Sequence, residues 1–185
     1  MAKILLGMAS SDYVRTRTAG MMYSLAQAYP DMKLVIVQGP YVDQNREAIA
    51  TDFLASDCTH LFFVDSDMLF KPEVLEALIA DDKEIVGAQY NRRIEREGVH
   101  VAPTRYDLPG METPNHPFVN QVVATGCLLI KREVFEKIPQ PWFATWEDGR
   151  RIGEDVFFCR KAKEHGIQTW IDPTLSVLHI GEKLY

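Results

Sequence analysis

The stretch His60-Leu61-Phe62-Phe63-Val64-Asp65-Ser66-Asp67-Met68 decides how this chain is read. Its first five residues are mostly apolar and β-prone, the pattern of a strand buried on both faces. The strand ends abruptly in two carboxylates one residue apart. Core packing gives no reason for them, because an unpartnered buried carboxylate is costly. A divalent cation carrying phosphates would satisfy both, since hard cations take oxygen ligands. The alternative is a plain turn that caps the next helix, with Pro72 in its first turn. The spacing alone leaves the two readings level.

The flanking sequence places the stretch. Upstream, residues 3–9 read as a strand. Val14, Thr18, Met22, Leu25 and Tyr29 fall at helical spacing, and Pro30 ends that helix. Residues 32–37 read as a second buried strand. Asp43 is set to cap a helix carrying Ala48, Ile49 and Phe53 inward. Downstream, residues 72–80 read as a helix and 84–89 as a short strand. This β-α-β-α-β-α-β order predicts a parallel sheet with helices on both faces. In open sheets of that kind, sites lie beyond the carboxyl ends of the strands. Asp65, Asp67, Ser10 and Ser11 all fall on that edge, which favours the functional reading of the Asp pair.

Residues 90–117 break the alternation: they are polar and carry Pro103, Pro109, Pro114 and Pro117. So long a connection is expected to cover or select a substrate. Residues 119–130 resume apolar sequence as a strand, in which Gly126 marks a close approach of a ligand or another backbone. A short helix spans 131–138. Pro139 to Trp146 form an aromatic loop whose Trp142 and Trp146 either stack on sugar rings or cover the core. Gly153 precedes Glu154-Asp155, which open a helix closed at Gly166. A strand over 168–171 and a strand-like run over 176–180 with His179 end the chain.

Bulk properties bound the rest. The 185 residues are expected to form one domain, 1–185, with 46% apolar and 25% charged residues. A net charge of −6 argues against nucleic-acid binding. Cys58, Cys127 and Cys159 show no C-x-x-C spacing, so they read as buried thiols in a reducing compartment. No run approaches the roughly 20 apolar residues of a membrane span. A cytoplasmic location is the expectation, in host cytoplasm if the chain is viral.

Three features stand out: Asp65/Asp67, Glu154/Asp155 and His179. With Thr125-Gly126-Cys127-Leu128-Leu129-Ile130 and Arg132-Glu133-Val134-Phe135, their order resembles the nucleotide-diphospho-sugar glycosyltransferases of the GT-A fold, family 2-like. More narrowly, the chain is similar to compact transferases of phages and large DNA viruses. The resemblance implies a Rossmann-like α/β/α sandwich with a mostly parallel sheet, residues 1–90 binding nucleotide and 91–185 serving acceptor and catalysis. It implies a hexosyltransferase-type enzyme moving sugar from a nucleotide-sugar, UDP-sugar favoured, to a glycan or other hydroxyl acceptor. The implied cofactor is Mn²⁺ or Mg²⁺, held by Asp67, Asp65 and His179, with an imidazole tilting the choice to Mn²⁺. Asp155 is the implied base and Glu154 a sugar or acceptor contact. Ser10, Arg46 and Asp65 are the implied nucleotide contacts, and Gly126, Trp142 and Trp146 the sugar or acceptor contacts. Gln38-Gly39-Pro40 stands where many relatives have a base-reading Asp, which puts the mode of base recognition in question. A nucleotidyltransferase of related fold should carry a basic, Gly-rich loop after its first strand, and Gly7 to Asp12 is neither basic nor Gly-rich. A non-catalytic nucleotide-sugar or glycan-binding module is the rival from another class.

Overall fold

The computed structural model describes residues 2–90 and 113–181. Most of the 90–117 excursion, with its arginines 92, 93 and 96, lies outside the described residues. Among the described residues the main sheet has seven strands: β1 (Ile4–Ser10), β2 (Lys33–Gln38), β3 (His60–Val64), β5 (Ile85–Ala88), β6 (Phe118–Val119), β7 (Cys127–Lys131) and β10 (Thr169–Asp172). Their spatial order is β2-β1-β3-β7-β5-β10-β6. β1, β2, β3, β5 and β10 run the same way, while β7 and β6 run antiparallel to their neighbours.

Alternation along the strands builds two cores. Leu5, Leu61 and Phe63 face one side, where α2 (Val42–Ala55) adds Ile49 and Phe53. On the same side α4 (Arg132–Lys137) adds Val134 and Phe135, and α5 (Glu154–Glu164) adds Phe158. Leu6, Met8, Phe62 and Val64 face the other side, beneath α1 (Thr16–Ala28) and α3 (Glu73–Ala80). The layers are thus helix, sheet, helix. From β1 the chain steps outward to β2 through α1, then back past β1 to β3 through α2. Right-handed crossovers made in opposite directions send those two helices to opposite faces. The crevice this leaves lies beyond the carboxyl ends of β1 and β3.

Several local expectations need correction. β2 is not a buried strand but the sheet edge: on the α1 side Leu34 and Ile36 remain 51% and 46% exposed. The 119–130 run is not one strand. It divides into β6 and β7, and Gly126 sits in the connection just before β7. Asp43 does not cap α2, whose N-cap is Tyr41; it lies inside the first turn, and Ala48 faces solvent. The run over 176–180 does not join the main sheet. Its β11 (Leu178–His179) pairs with a two-residue β4 (Met68–Leu69) instead. The aromatic loop expected over 139–146 runs at its end into a hairpin: β8 (Trp146–Glu147) and β9 (Arg150–Arg151) flank Asp148-Gly149. Both turn residues have positive φ, +48° and +73°, the conformation that makes Asp-Gly a favoured hairpin turn.

The carboxyl end of α2 is closed from a distance. Arg132 Nη1 donates to the carbonyls of Phe53, Ser56 and Cys58, and its Nη2 to that of Leu54. A cation on the last carbonyls satisfies their lone pairs and opposes the negative end of the helix dipole. Arg132→Met should lower unfolding free energy by roughly 2 kcal/mol. The melting temperature, followed by circular dichroism, should then fall by roughly 4–8 °C. A melt within 1 °C of wild type would contradict this closure.

Candidate active site

The Asp65-Ser66-Asp67 turn is stapled from several elements. The Asp65 N–H donates to the Gly126 carbonyl at 3.1 Å, and the Met68 N–H closes the turn on the Asp65 carbonyl at 3.2 Å. The Arg15 N–H reaches the Ser66 carbonyl at 2.9 Å, and the Ile180 N–H reaches that of Asp67 at 2.8 Å. The Thr18 hydroxyl donates to the Met68 carbonyl at 2.8 Å. Neither Asp caps α3: its N-cap is Pro72, with no side-chain cap bond. The turn is therefore a built platform, and the plain helix-capping alternative does not describe it.

Each carboxylate has its own company. β11 sets His179 directly opposite Met68, which brings His179 Nε2 to 3.3 Å from Asp67 Oδ1. Asp65 Oδ1 accepts from Arg46 Nη2 at 2.9 Å, and Arg46 Nε reaches Glu154 Oε1 at 3.3 Å. The Thr125 hydroxyl donates to the same Glu154 oxygen at 3.2 Å. Arg46 is only 1% exposed. Burial alone would lower its pKa, but Asp65 and Glu154 outweigh that and hold it above its ordinary value.

Tyr90, just past β5, completes the floor. Its hydroxyl accepts the Gly126 N–H at 3.0 Å, and its ring stands edge-on to His179 at 5.5 Å. Burial pushes the phenol well above its usual pKa, and the charge of Asp65 adds to the effect, so it stays protonated. A Cβ at residue 126 would lie 2.5 Å from the Tyr90 hydroxyl and 2.8 Å from Asp65 Oδ2. Gly126 is thus a point of close approach, made by these side chains.

The other expected residues divide. Asp155 is largely buried in the first turn of α5, and its Oδ1 accepts the Val156 N–H at 2.8 Å. Ser10 is buried at the end of β1 and turns its hydroxyl onto the Tyr13 carbonyl at 3.1 Å. Its own carbonyl accepts from Gly39 at 3.0 Å and Asn45 at 3.4 Å. Trp142 is not on a sugar-binding surface: it is 4% exposed and packs edge-on to Phe135, its indole N–H on the Ile138 carbonyl. Trp146 is 65% exposed on β8, opposite Arg151. Asp43 holds this loop to α2 by accepting the Thr145 N–H and hydroxyl at 3.0 and 2.8 Å. Glu47 accepts the Phe143 N–H.

The structure therefore brings together Asp65, Asp67, His179, Arg46, Glu154 and Gly126. Sequence alone does not assign Tyr90 and Thr125 to the site. Tyr90 follows a strand's carboxyl end and Thr125 adjoins Gly126, the signals that could have found them. A groove of about 1120 Å³ opens at the opposite edge of the sheet, lined by Tyr29, Lys33, Asp57 and Glu76. Its Lys3 and Lys33 are both bound to Asp57, so that groove offers no unpaired lysine for an anion.

Among the described residues, no group of three or more His, Cys, Asp or Glu could hold an ion alone. The donor set of Asp67 and His179, a carboxylate and an imidazole, fits a divalent ion that takes its other ligands from phosphate and water.

The sequence matches no family model and no curated protein. Solved structures do resemble the fold. A197 from STIV is 23% identical with a TM-score of 0.68, the match covering 96% of this chain and 85% of that one. GalNAc-T7 with UDP, GalNAc and Mn²⁺ is 14% identical with a TM-score of 0.61, over 100% of this chain and 44% of that one. This chain has a GT-A-like fold. S. aureus TarS 1-349 in complex with UDP-GlcNAc shares it at 12% identity and a TM-score of 0.56, over 99% of this chain and 59% of that one. The chain thus spans about half the length of the last two. Within the GT-A-like frame, Asp65 and Asp67 close β3, and Glu154 and Asp155 open α5 across from them.

The two tryptophans should respond differently to truncation. Trp142→Ala should cost roughly 3–5 kcal/mol. Trp146→Ala should stay within about 0.5 kcal/mol. Urea unfolding of both variants checks this, and equal losses would contradict the inside–outside division.

Proposed function

We propose that the chain is a metal-dependent glycosyltransferase that moves a sugar from a nucleotide-diphospho-sugar, UDP-sugar favoured, to a hydroxyl acceptor. The observation that carries the reading is the convergence of Asp67–His179 with Asp65–Arg46–Glu154 at the crevice of a GT-A-like sheet. Asp67 and His179 would hold Mn²⁺, or Mg²⁺, with Asp65 beside them toward the ribose. When bound, the ion neutralises the charge that develops on the departing diphosphate. Asp155 would take the proton of the acceptor hydroxyl, as an inverting reaction requires. Glu154 would contact the sugar or acceptor and Trp146 an outer sugar. Gly126 would act on the sugar side indirectly, by letting the Tyr90 hydroxyl and Asp65 close up beneath the donor. In this reading residues 1–90 serve the donor and 91–185 the acceptor.

No helix among the described residues is long and apolar enough to cross a membrane. The three cysteines are free and buried, and burial pushes Cys159 up to about 12, which suits inert thiols in a reducing cytoplasm.

The test is nucleotide release from a panel of UDP-, GDP- and dTDP-sugars with Mn²⁺. Turnover is expected with at least one donor. Asp67→Ala should lower it by about 100-fold or more, in line with loss of charge stabilisation at the leaving group. Asp155→Asn should abolish transfer while leaving UDP affinity nearly unchanged. Absence of donor binding would end the reading, and full activity of Asp67→Ala would end the site assignment.

A further inference from the structure

The Arg46 guanidinium is a fork between two functional carboxylates: Nη2 lies 2.9 Å from Asp65 Oδ1 and Nε 3.3 Å from Glu154 Oε1. The group is nearly inaccessible, its carbon 5.1 Å from the centre of the Phe63 ring. Its third nitrogen, Nη1, is buried and has no hydrogen-bond partner among the described residues. A guanidinium so enclosed cannot take a phosphate directly, as a nucleotide contact would require. A single cation shared by two anions instead offsets their mutual repulsion and sets their separation. A planar fork can do this for two carboxylates at once, where an ammonium is a point charge.

We propose that Arg46 is a positioning residue: it binds neither donor nor acceptor but locks Asp65 and Glu154 into one charge-balanced unit. Those two carboxylates are donor-side and acceptor-side only on the function proposed above, and to that extent the inference rests on it. Asp65 hangs from the end of β3, Glu154 opens α5, and Arg46 lies on α2. The unit therefore ties three elements together at the point where the two substrates would meet. The Thr125 hydroxyl on Glu154 Oε1 steadies the far carboxylate.

A mutant cycle tests this: Asp65→Asn, Glu154→Gln and both, in the wild-type and Arg46→Met backgrounds, with Arg46→Lys alongside. The first readout is the melting temperature without any ligand; the second is UDP affinity with Mn²⁺ by calorimetry. In the wild-type background each single change leaves the guanidinium one carboxylate. The double change strands a buried charge, so its melting temperature should fall by more than the sum of the singles, by roughly 10 °C in all. In Arg46→Met the sign should invert: Glu154→Gln should raise the melting temperature, because it removes one of two carboxylates left facing each other. Arg46→Met should weaken UDP binding by roughly tenfold or more, and adding Glu154→Gln should recover part of that loss. Arg46→Lys should fall between wild type and Arg46→Met.

Additive losses in the wild-type background, absence of the inversion, or wild-type UDP affinity in Arg46→Met would each overturn the proposal. Should Arg46→Met fail to fold, the wild-type cycle and Arg46→Lys decide alone. The melting cycle uses no nucleotide. A wild type that ignores UDP would sink the proposed function while leaving the cycle to decide the role of Arg46.

Discussion

The buried cation of Arg46, held between Asp65 and Glu154, is the constraint on which the site depends. Stripping a guanidinium of water costs several kcal/mol even after relaxation, and the cost is offset only by well-placed partners. Here the partners come from residues 19 and 108 positions away along the chain. α2, the end of β3 and the start of α5 must therefore arrive together before the charge is satisfied. Such an arrangement need not add net stability over an apolar core. What it does is exclude other placements of the two carboxylates, because either one moving away leaves a charge exposed to low dielectric.

The same logic explains where the site sits. A strand buried on both faces can end in carboxylates only where the sheet meets solvent. The outward step to β2 and the return to β3 open a crevice at that edge. Backbone bonds from the α1 loop, from Gly126 and from Ile180 then fix the Asp65–Asp67 turn. β11 contributes through pairing with β4, which delivers His179 to Asp67 from near the end of the chain. A turn so restrained presents two carboxylates at little entropic cost on binding, as a preorganised site requires.

Much of the α/β alternation was legible because it depends on local periodicity: strands and helices up to β5 follow from apolar spacing, and Pro30 and Gly166 mark helix ends. What periodicity cannot see is sheet order. β2 has the composition of a buried strand, yet it lies at the edge, since only topology decides which strand has one neighbour. β7 inserts antiparallel between β3 and β5, a long-range pairing with no local signature. The hairpin carries a local signal in Asp148-Gly149, but its strands are only two residues long, too short to show an alternating pattern. In the site, acidic residues and His179 were visible as residues without a core role. Tyr90 and Thr125 were not, because a single Tyr or Thr is ordinary until its neighbours are known. Trp142 and Trp146 are chemically equal in sequence, and only tertiary packing, with Phe135 and the Ile138 carbonyl against the first, separates core from surface.

On the proposed function, the Asp67–His179 corner is where a metal-bound nucleotide diphosphate would dock. A crystal of the protein grown with UDP and Mn²⁺, measured for the anomalous signal of manganese, addresses it directly. One anomalous peak should appear at coordination distance from both the Asp67 carboxylate and the His179 ring, about 2.0–2.3 Å away. The diphosphate should bridge to it, and Arg46 should remain on Asp65 and Glu154. A nucleotide bound in the groove beside Lys33 and Asp57, or manganese away from both Asp67 and His179, would contradict the account.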